Sequence, residues 1–249
     1  MTGARSAERG TRNGDHRGDD LAVRPVNPIP SSEFRAPRSP LALAVLLSGT
    51  GRTLENLLVQ IERGDLAARV AVVISSRPGV RGLDLATAHG IPTHTIERRR
   101  FADDETFSDA VYAALAPHQP GLLVAAGYLR KLVIRPEWTN RMMNIHPSLL
   151  PAFGGRGMYG HHVHEAVLAY GVKLTGCTAH FVDNEYDHGP IILQRAVPVL
   201  QDDTPDTLAA RVFAEECRLY PEAIRLFAAG RLAVEGRQVR ILAEVRNER

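Results

Sequence analysis

The chain has 249 residues, 44% of them apolar and 23% charged, which suits a folded protein with a sizeable core and excludes a wholly disordered or fibrous one. Residues 1–40 hold seven Arg against five acidic residues and the remainder balances 23 against 23, so the small net charge of +2 marks no face for nucleic acid. The longest apolar run, Leu41–Leu47, is far below the ~20 residues of a membrane span, and no basic-then-apolar leader opens the chain, which predicts a cytoplasmic protein.

Residues 1–40, rich in Gly, Pro, Ser, Arg and Asp, follow neither apolar period and read as a disordered polar tail. Leu41–Leu47 reads as a strand buried on both faces. After the turn Ser48–Arg52, Leu54, Leu57, Leu58 and Ile61 share one helical face, and Gly64 ends the helix. Strand Val70–Ile74, helix Leu83–Ala88, strand Ile91–Ile96, helix Phe107–Leu115 and strand Leu122–Ala126 continue the alternation. This rhythm predicts a doubly wound, Rossmann-like, mostly parallel sheet with helices on both faces. Strands at Met143–His146, Gly176–Val182 and Ile191–Val199 follow, with a glycine-rich connection at Phe153–Gly160. Two late helices, about Pro205–Arg218 and Pro221–Ala229, close a single domain over residues 41–232, leaving 233–249 as a C-terminal extension.

Two places in this scaffold carry chemistry. Ser48-Gly49-Thr50-Gly51-Arg52-Thr53 follows a buried strand and opens a helix, where unpaired N–H groups and the helix dipole favour an anion. The loop matches neither the P-loop nor the dinucleotide fingerprint. Its local pattern fits a phosphate cradle or an ordinary strand-to-helix turn equally well. Asn144-Ile145-His146-Pro147 ends a predicted strand, and residues i and i+2 share a face, so Asn144 and His146 project together. An amide beside an imidazole suits acyl-type transfer, one group steadying an oxyanion and the other moving protons. Asp187, in the turn Tyr186–Pro190, is a carboxylate within reach of returning to His146. Spacing alone also allows His146 to be a structural strand-end histidine.

The stretch N-I-H-P-S-L-L-P at 144–151, with S-G-T-G at 48–51 and H-F-V-D-N-E-Y-D-H-G-P-I-I-L-Q at 180–194, resembles the phosphoribosylglycinamide formyltransferase family from about Leu41 to Leu232. The resemblance implies transfer of a formyl group from 10-formyltetrahydrofolate to the glycinamide amine in purine biosynthesis. It implies a catalytic trio of Asn144, His146 and Asp187, with Asn144 and His146 holding the formyl oxygen and His146 acting as the acid. Gly51, Arg52 and Thr53 match the loop for the ribose phosphate, and Glu216 matches a carboxylate that contacts the glycinamide substrate. Leu129, Arg130, Lys131 and Leu132, with Asp183, Asn184, Glu185, Tyr186 and Asp187, and Asn144 at the base, match the folate pocket.

The sequence also departs from that pattern. The phosphate loop commonly ends Gly-Ser-Asn where this chain reads Gly51-Arg52-Thr53, and Asp104 stands where relatives often carry an arginine toward the folate tail. Arg98-Arg99-Arg100, just upstream, is the expected replacement.

Formyl transfer needs no metal. Cys177 and Cys217 lie far apart, and neither Cys nor carboxylate stands at a familiar zinc spacing from His161, His162, His164, His180 or His188. His162 and His164 are expected to line the substrate loop.

Small molecules are the expected partners of a monomer or homodimer, without nucleic acid or membrane. A formyltetrahydrofolate deformylase is the alternative: it would use the same trio with water as nucleophile but would need neither the phosphate loop nor Glu216. A methionyl-tRNA formyltransferase would need a basic C-terminal domain, and a silent sugar-phosphate-binding module would not need the intact trio.

Overall fold

The computed structural model describes residues 39–243; the polar tail expected over residues 1–40 falls, but for its last two residues, outside them. In chain order the elements are β1 (Leu41–Leu47), α1 (Arg52–Glu62), β2 (Ala68–Ser75), α2 (Arg81–Ala88), β3 (Thr93–Thr95), α3 (Asp104–Leu115), β4 (Leu122–Ala125), β5 (Met142–His146) and α4 (His161–Tyr170). They continue with β6 (Leu174–Phe181), β7 (Ile191–Pro198), α5 (Pro205–Ala228), β8 (Leu232–Glu235) and β9 (Gln238–Ile241). Among the described residues the strands form one sheet in the order β3-β2-β1-β4-β5-β6-β7-β9-β8. The first five strands pair in parallel, and β6 enters antiparallel to both β5 and β7.

The alternation of side chains along a strand explains why β1 is apolar throughout. Leu43, Val45 and Leu47 face a core shared with α1, α2, α4 and α5, while Ala44 and Leu46 face Phe107, Val111 and Leu115 of α3. Both faces are covered, as expected of a parallel sheet. Among the described residues no helix is long and apolar enough to cross a membrane.

Two sequence expectations change here. The late helices are one 24-residue helix with Pro221 inside it. Proline has no N–H for the carbonyl four residues back, which is that of Cys217. The Asn56 side chain, reaching across from α1, donates to that carbonyl at 2.9 Å and supplies the missing bond. Beside it, the buried Tyr220 hydroxyl is shared between the carbonyls of Ala125 and Met143 at 3.0 and 2.9 Å, pinning α5 beneath β4 and β5. The second change is at the C-terminus. Residues 232–241 form a hairpin, and β9 pairs with β7, so the sheet continues through the segment expected as an extension.

Candidate active site

The strand order reverses at β1, which has β2 on one side and β4 on the other. Ligands of open α/β sheets bind in the crevice at the carboxyl ends of the strands at such a reversal. Here the loops leaving β1 and β4 are tied together. Ser48 Oγ accepts the Leu129 N–H at 2.9 Å and shares a second hydrogen bond with Ser76 Oγ at 2.6 Å. Gly51, at φ +77°, starts α1 so close to α2 that a Cβ would lie 2.7 Å from Gly82 Cα. Only glycine satisfies both conditions.

Above this crevice is a cavity of about 320 Å³, within the range of small-molecule sites. Gly51, Arg52 and Thr53 line it at the N-terminus of α1, and Glu216 lines it from α5. The Arg52 guanidinium lies over the Phe213 ring, 3.7 Å from its centroid, so α5 supplies a shelf that holds the charge in the cavity wall. Glu216 is half-buried, and desolvation raises its carboxyl to about 7, with Arg52 pulling the other way. Such a group changes charge near neutral pH.

Asn144 and His146 stand two residues apart on β5, as the spacing predicts. Antiparallel pairing with β6 places Asn144 directly opposite His180 and His146 opposite Thr178. His180 Nδ1 faces the Phe181 carbonyl at 2.8 Å, and a carbonyl only accepts, so that nitrogen carries the proton. Burial lowers the His180 pKa and keeps the ring neutral. Its bare Nε2 therefore accepts from Asn144 Nδ2 at 3.2 Å, which fixes the orientation of the amide and leaves its second hydrogen for the site.

His146 is held by the same logic. Its Nε2 donates to the Phe153 carbonyl at 2.9 Å, and its Nδ1 lies 3.4 Å from Asp187 Oδ2. Asp187 adopts φ +52°, and its carboxylate accepts the Gly155 N–H at 3.0 Å. Sequence separation of 41 positions thus closes into a direct imidazole–carboxylate contact.

A second, narrower slot opens on the other side of β5. Tyr128, Arg130, Lys131 and Leu132 form one wall, Asp183–Asp187 the other, and Asn144 and His180 the base. Asn184 bridges the walls, accepting from Ile134 N–H at 2.7 Å and donating to the Ile134 carbonyl at 3.3 Å. Asn144 lines the slot while Ile145 and Pro147 line the wide cavity, so His146 stands between the two spaces.

Most of the expected positions therefore converge, with three corrections. Leu129 lines the wide cavity and not the slot, and its N–H is bonded to Ser48. The arginines at 98–100 do not line the slot. Arg98 pairs with Asp104 itself at 2.6 Å, and Arg99 and Arg100 pair with Glu97 at 2.6 and 2.8 Å. The glycine-rich connection leads into a helix that the sequence reading passed over, and His161 and His164 face the cavity while His162 pairs with Glu165 outside it. The signal for that helix was present: Val163 and Val167 four apart, and Gly171 as a left-handed C-cap at φ +82°. His180, Phe213 and the carbonyl of Phe153 were also missed. Cross-strand register nominates His180 once β5 and β6 are paired, whereas nothing in the sequence marks a backbone carbonyl.

A family model described as formyl transferase matches residues 41–224. The phosphoribosylglycinamide formyltransferase of Mycobacterium tuberculosis (strain ATCC 25618 / H37Rv) is 40% identical over 215 residues, 82% of this chain and 96% of that protein. The trifunctional purine biosynthetic protein adenosine-3 of Bos taurus is 41% identical over 200 residues, 78% of this chain; the chain spans 19% of that much longer protein. A crystal structure of glycinamide ribonucleotide transformylase 1 from Symbiobacterium toebii gives a TM-score of 0.75 at 44% identity, covering 82% of this chain and 95% of that one. A formyltetrahydrofolate deformylase from Pseudomonas syringae pv. tomato str. DC3000 has a similar TM-score of 0.72 but only 25% identity, covering 83% of this chain and 67% of that one.

Proposed function

The chain belongs to the formyl transferase family, and from that premise we propose that it passes a formyl group from 10-formyltetrahydrofolate to the amine of 5-phosphoribosylglycinamide in purine biosynthesis. The observation that carries this reading is the pair of spaces lined by successive residues of β5 and its end, Asn144 in one and Ile145 and Pro147 in the other, with His146 in that same stretch. The narrow slot takes the folate, its flat ring between the Tyr128–Leu132 and Asp183–Asp187 walls. The wide cavity takes the phosphoribosyl amine, its phosphate at Gly51, Arg52 and Thr53 and its amine toward Glu216.

In the reaction the amine lone pair adds to the formyl carbon, and the carbonyl electrons move onto oxygen. Asn144, oriented by His180, holds that oxygen, and His146 joins it when its Nε2–H turns from the Phe153 carbonyl to the substrate. The bond from carbon to the folate nitrogen then breaks, and the proton lost by the amine passes by way of His146 and water to the departing nitrogen. Asp187 orients His146 and balances the charge the ring gains while it carries the proton in transit. Deformylation would replace the amine with water and would leave Arg52, Phe213 and Glu216 without a task. The reactants are small molecules, and the chain is read as a cytoplasmic monomer or homodimer that works without metal, nucleic acid or membrane.

Steady-state kinetics on two variants test the division of labour. His146→Ala is expected to lower kcat by about a hundredfold to ten-thousandfold, the worth of positioned acid–base catalysis. Arg52→Ala is expected to raise KM for the phosphoribosyl amine while leaving that for the folate. A His146→Ala enzyme with kcat near wild type would remove His146 from the chemistry.

A further inference from the structure

Two helices open onto the wide cavity by their first turns. Gly51, Arg52 and Thr53 line it from α1, and Gly160, His161 and His164 line it from α4. Both N-caps are glycines, and neither helix has a side-chain cap. The amides of each first turn are thus left for another acceptor, at the positive end of each dipole. The connection that brings α4 there contains Gly155, Gly157 and Gly160 at φ +94°, +90° and +54°, with no atom within 4 Å of where a Cβ would stand. Glycine serves there to turn the backbone, not to make room.

His164 lines the cavity wall from the first turn of α4. Its side chain is almost wholly buried, at 4% exposure, and Nδ1 has no hydrogen-bond partner. A leucine would fill that wall without burying a polar atom. Burial, with His161 and His146 nearby, pushes the ring down to about 4, so it is neutral at physiological pH and carries one proton. An orphaned N–H is rarer in protein interiors than an under-used acceptor, which assigns the proton to Nε2 and leaves Nδ1 bare.

We propose that the first turn of α4, with His164 as an Nε2–H donor, is the second jaw of the phosphoribosyl site, gripping the substrate together with α1 and Arg52. This rests on the reading that the wide cavity takes the phosphoribosyl amine. His164 is then a specificity residue for the anionic half of that substrate, with Arg52, Glu216, His161 and His146 as the titratable groups around it.

The test compares His164→Leu, His164→Gln and His164→Asn in the full chain. Loss of one hydrogen bond to a charged acceptor predicts a rise of about tenfold to a hundredfold in KM for the amine in His164→Leu, with a smaller change in kcat and in KM for the folate. Glutamine places an N–H where Nε2 stands and should recover most of the affinity; asparagine mimics Nδ1 and should not. An unchanged KM for the amine in His164→Leu, a loss confined to kcat, or rescue by Asn but not Gln overturns the proposal. Should the leucine variant fail to fold, nitrogen NMR of His164 in the wild-type protein at pH 7 decides: an Nε2–H ring supports it, and an Nδ1–H or doubly protonated ring overturns it. If the wild-type enzyme transfers no formyl group to the amine, the functional reading fails by itself. Calorimetry with inorganic phosphate then separates the two: weaker binding by His164→Leu sustains the α4 jaw, and equal binding refutes it.

Discussion

Glu216 and Arg52 approach one another from α5 and α1, and their opposition has a measurable pH signature. The folded protein raises the Glu216 carboxyl from 4.5 to about 7 through desolvation. An acid whose folded pKa is raised favours the fold below its unfolded pKa, and that favour is lost as pH climbs through the folded value. Between about pH 4.5 and 7 the free protein should lose up to roughly 3 kcal/mol from this group. Glu216→Gln is therefore expected to raise the thermal midpoint at pH 8 and to flatten its decline between pH 5 and 8. The same variant should raise KM for the amine substrate. A midpoint at pH 8 unchanged or lowered by the substitution would contradict the desolvated carboxylate. At this scale the sequence was legible wherever a side chain sits in a motif: Asn144, His146 and Asp187 meet as spacing and resemblance predicted. It was silent where the partner belongs to a distant strand or to the backbone. His180 lies 36 positions from Asn144, and Phe153 offers only its carbonyl to His146.

Among the elements, α5 shows why a proline misled the sequence reading. Proline inside a helix predicts a break because it removes a bond and crowds the preceding turn. The helix continues because Asn56 replaces the lost donor from outside, information that lies 161 positions away. Asn56→Ala should therefore destabilise the protein by about 1–2 kcal/mol, the cost of an orphaned carbonyl. In a Pro221→Ala background the helix can supply its own N–H, and the penalty should shrink; equal penalties in both backgrounds would dismiss the compensation. The C-terminal hairpin was missed for a similar reason, since four-residue strands gain their identity from the edge they join. Its turn reaches the slot wall: Arg237 donates to the His188 carbonyl at 2.6 Å and to His188 Nε2 at 2.7 Å, while His188 Nδ1 holds Asp183 at 2.8 Å. Arg237→Ala is expected to loosen that wall and raise KM for the folate several-fold with little effect on KM for the amine. A change confined to the amine would show that the hairpin serves another purpose.

Across the whole molecule, fold and site share one cause. The strand–helix rhythm from Leu41 to Ala125 sets four parallel strands and a reversal at β1, and the reversal opens the crevice. The antiparallel entry of β6 then adds what a purely parallel sheet lacks, a neighbour strand that delivers His180 and the Asp183–Asp187 wall beside β5. Alternating apolar runs made the first half readable from the chain alone. The second half depends on non-local pairing, and its helix α4 was hidden by three histidines that invite other readings. The central claim is that the two spaces flanking the end of β5 bring folate and amine together, and not folate and water. Folate absorbance on the purified protein with 10-formyltetrahydrofolate, followed with and without 5-phosphoribosylglycinamide, tests it most directly. Turnover that requires the amine and disappears in His146→Ala is the predicted result. Turnover at the same rate without the amine would contradict it and make the chain a hydrolase.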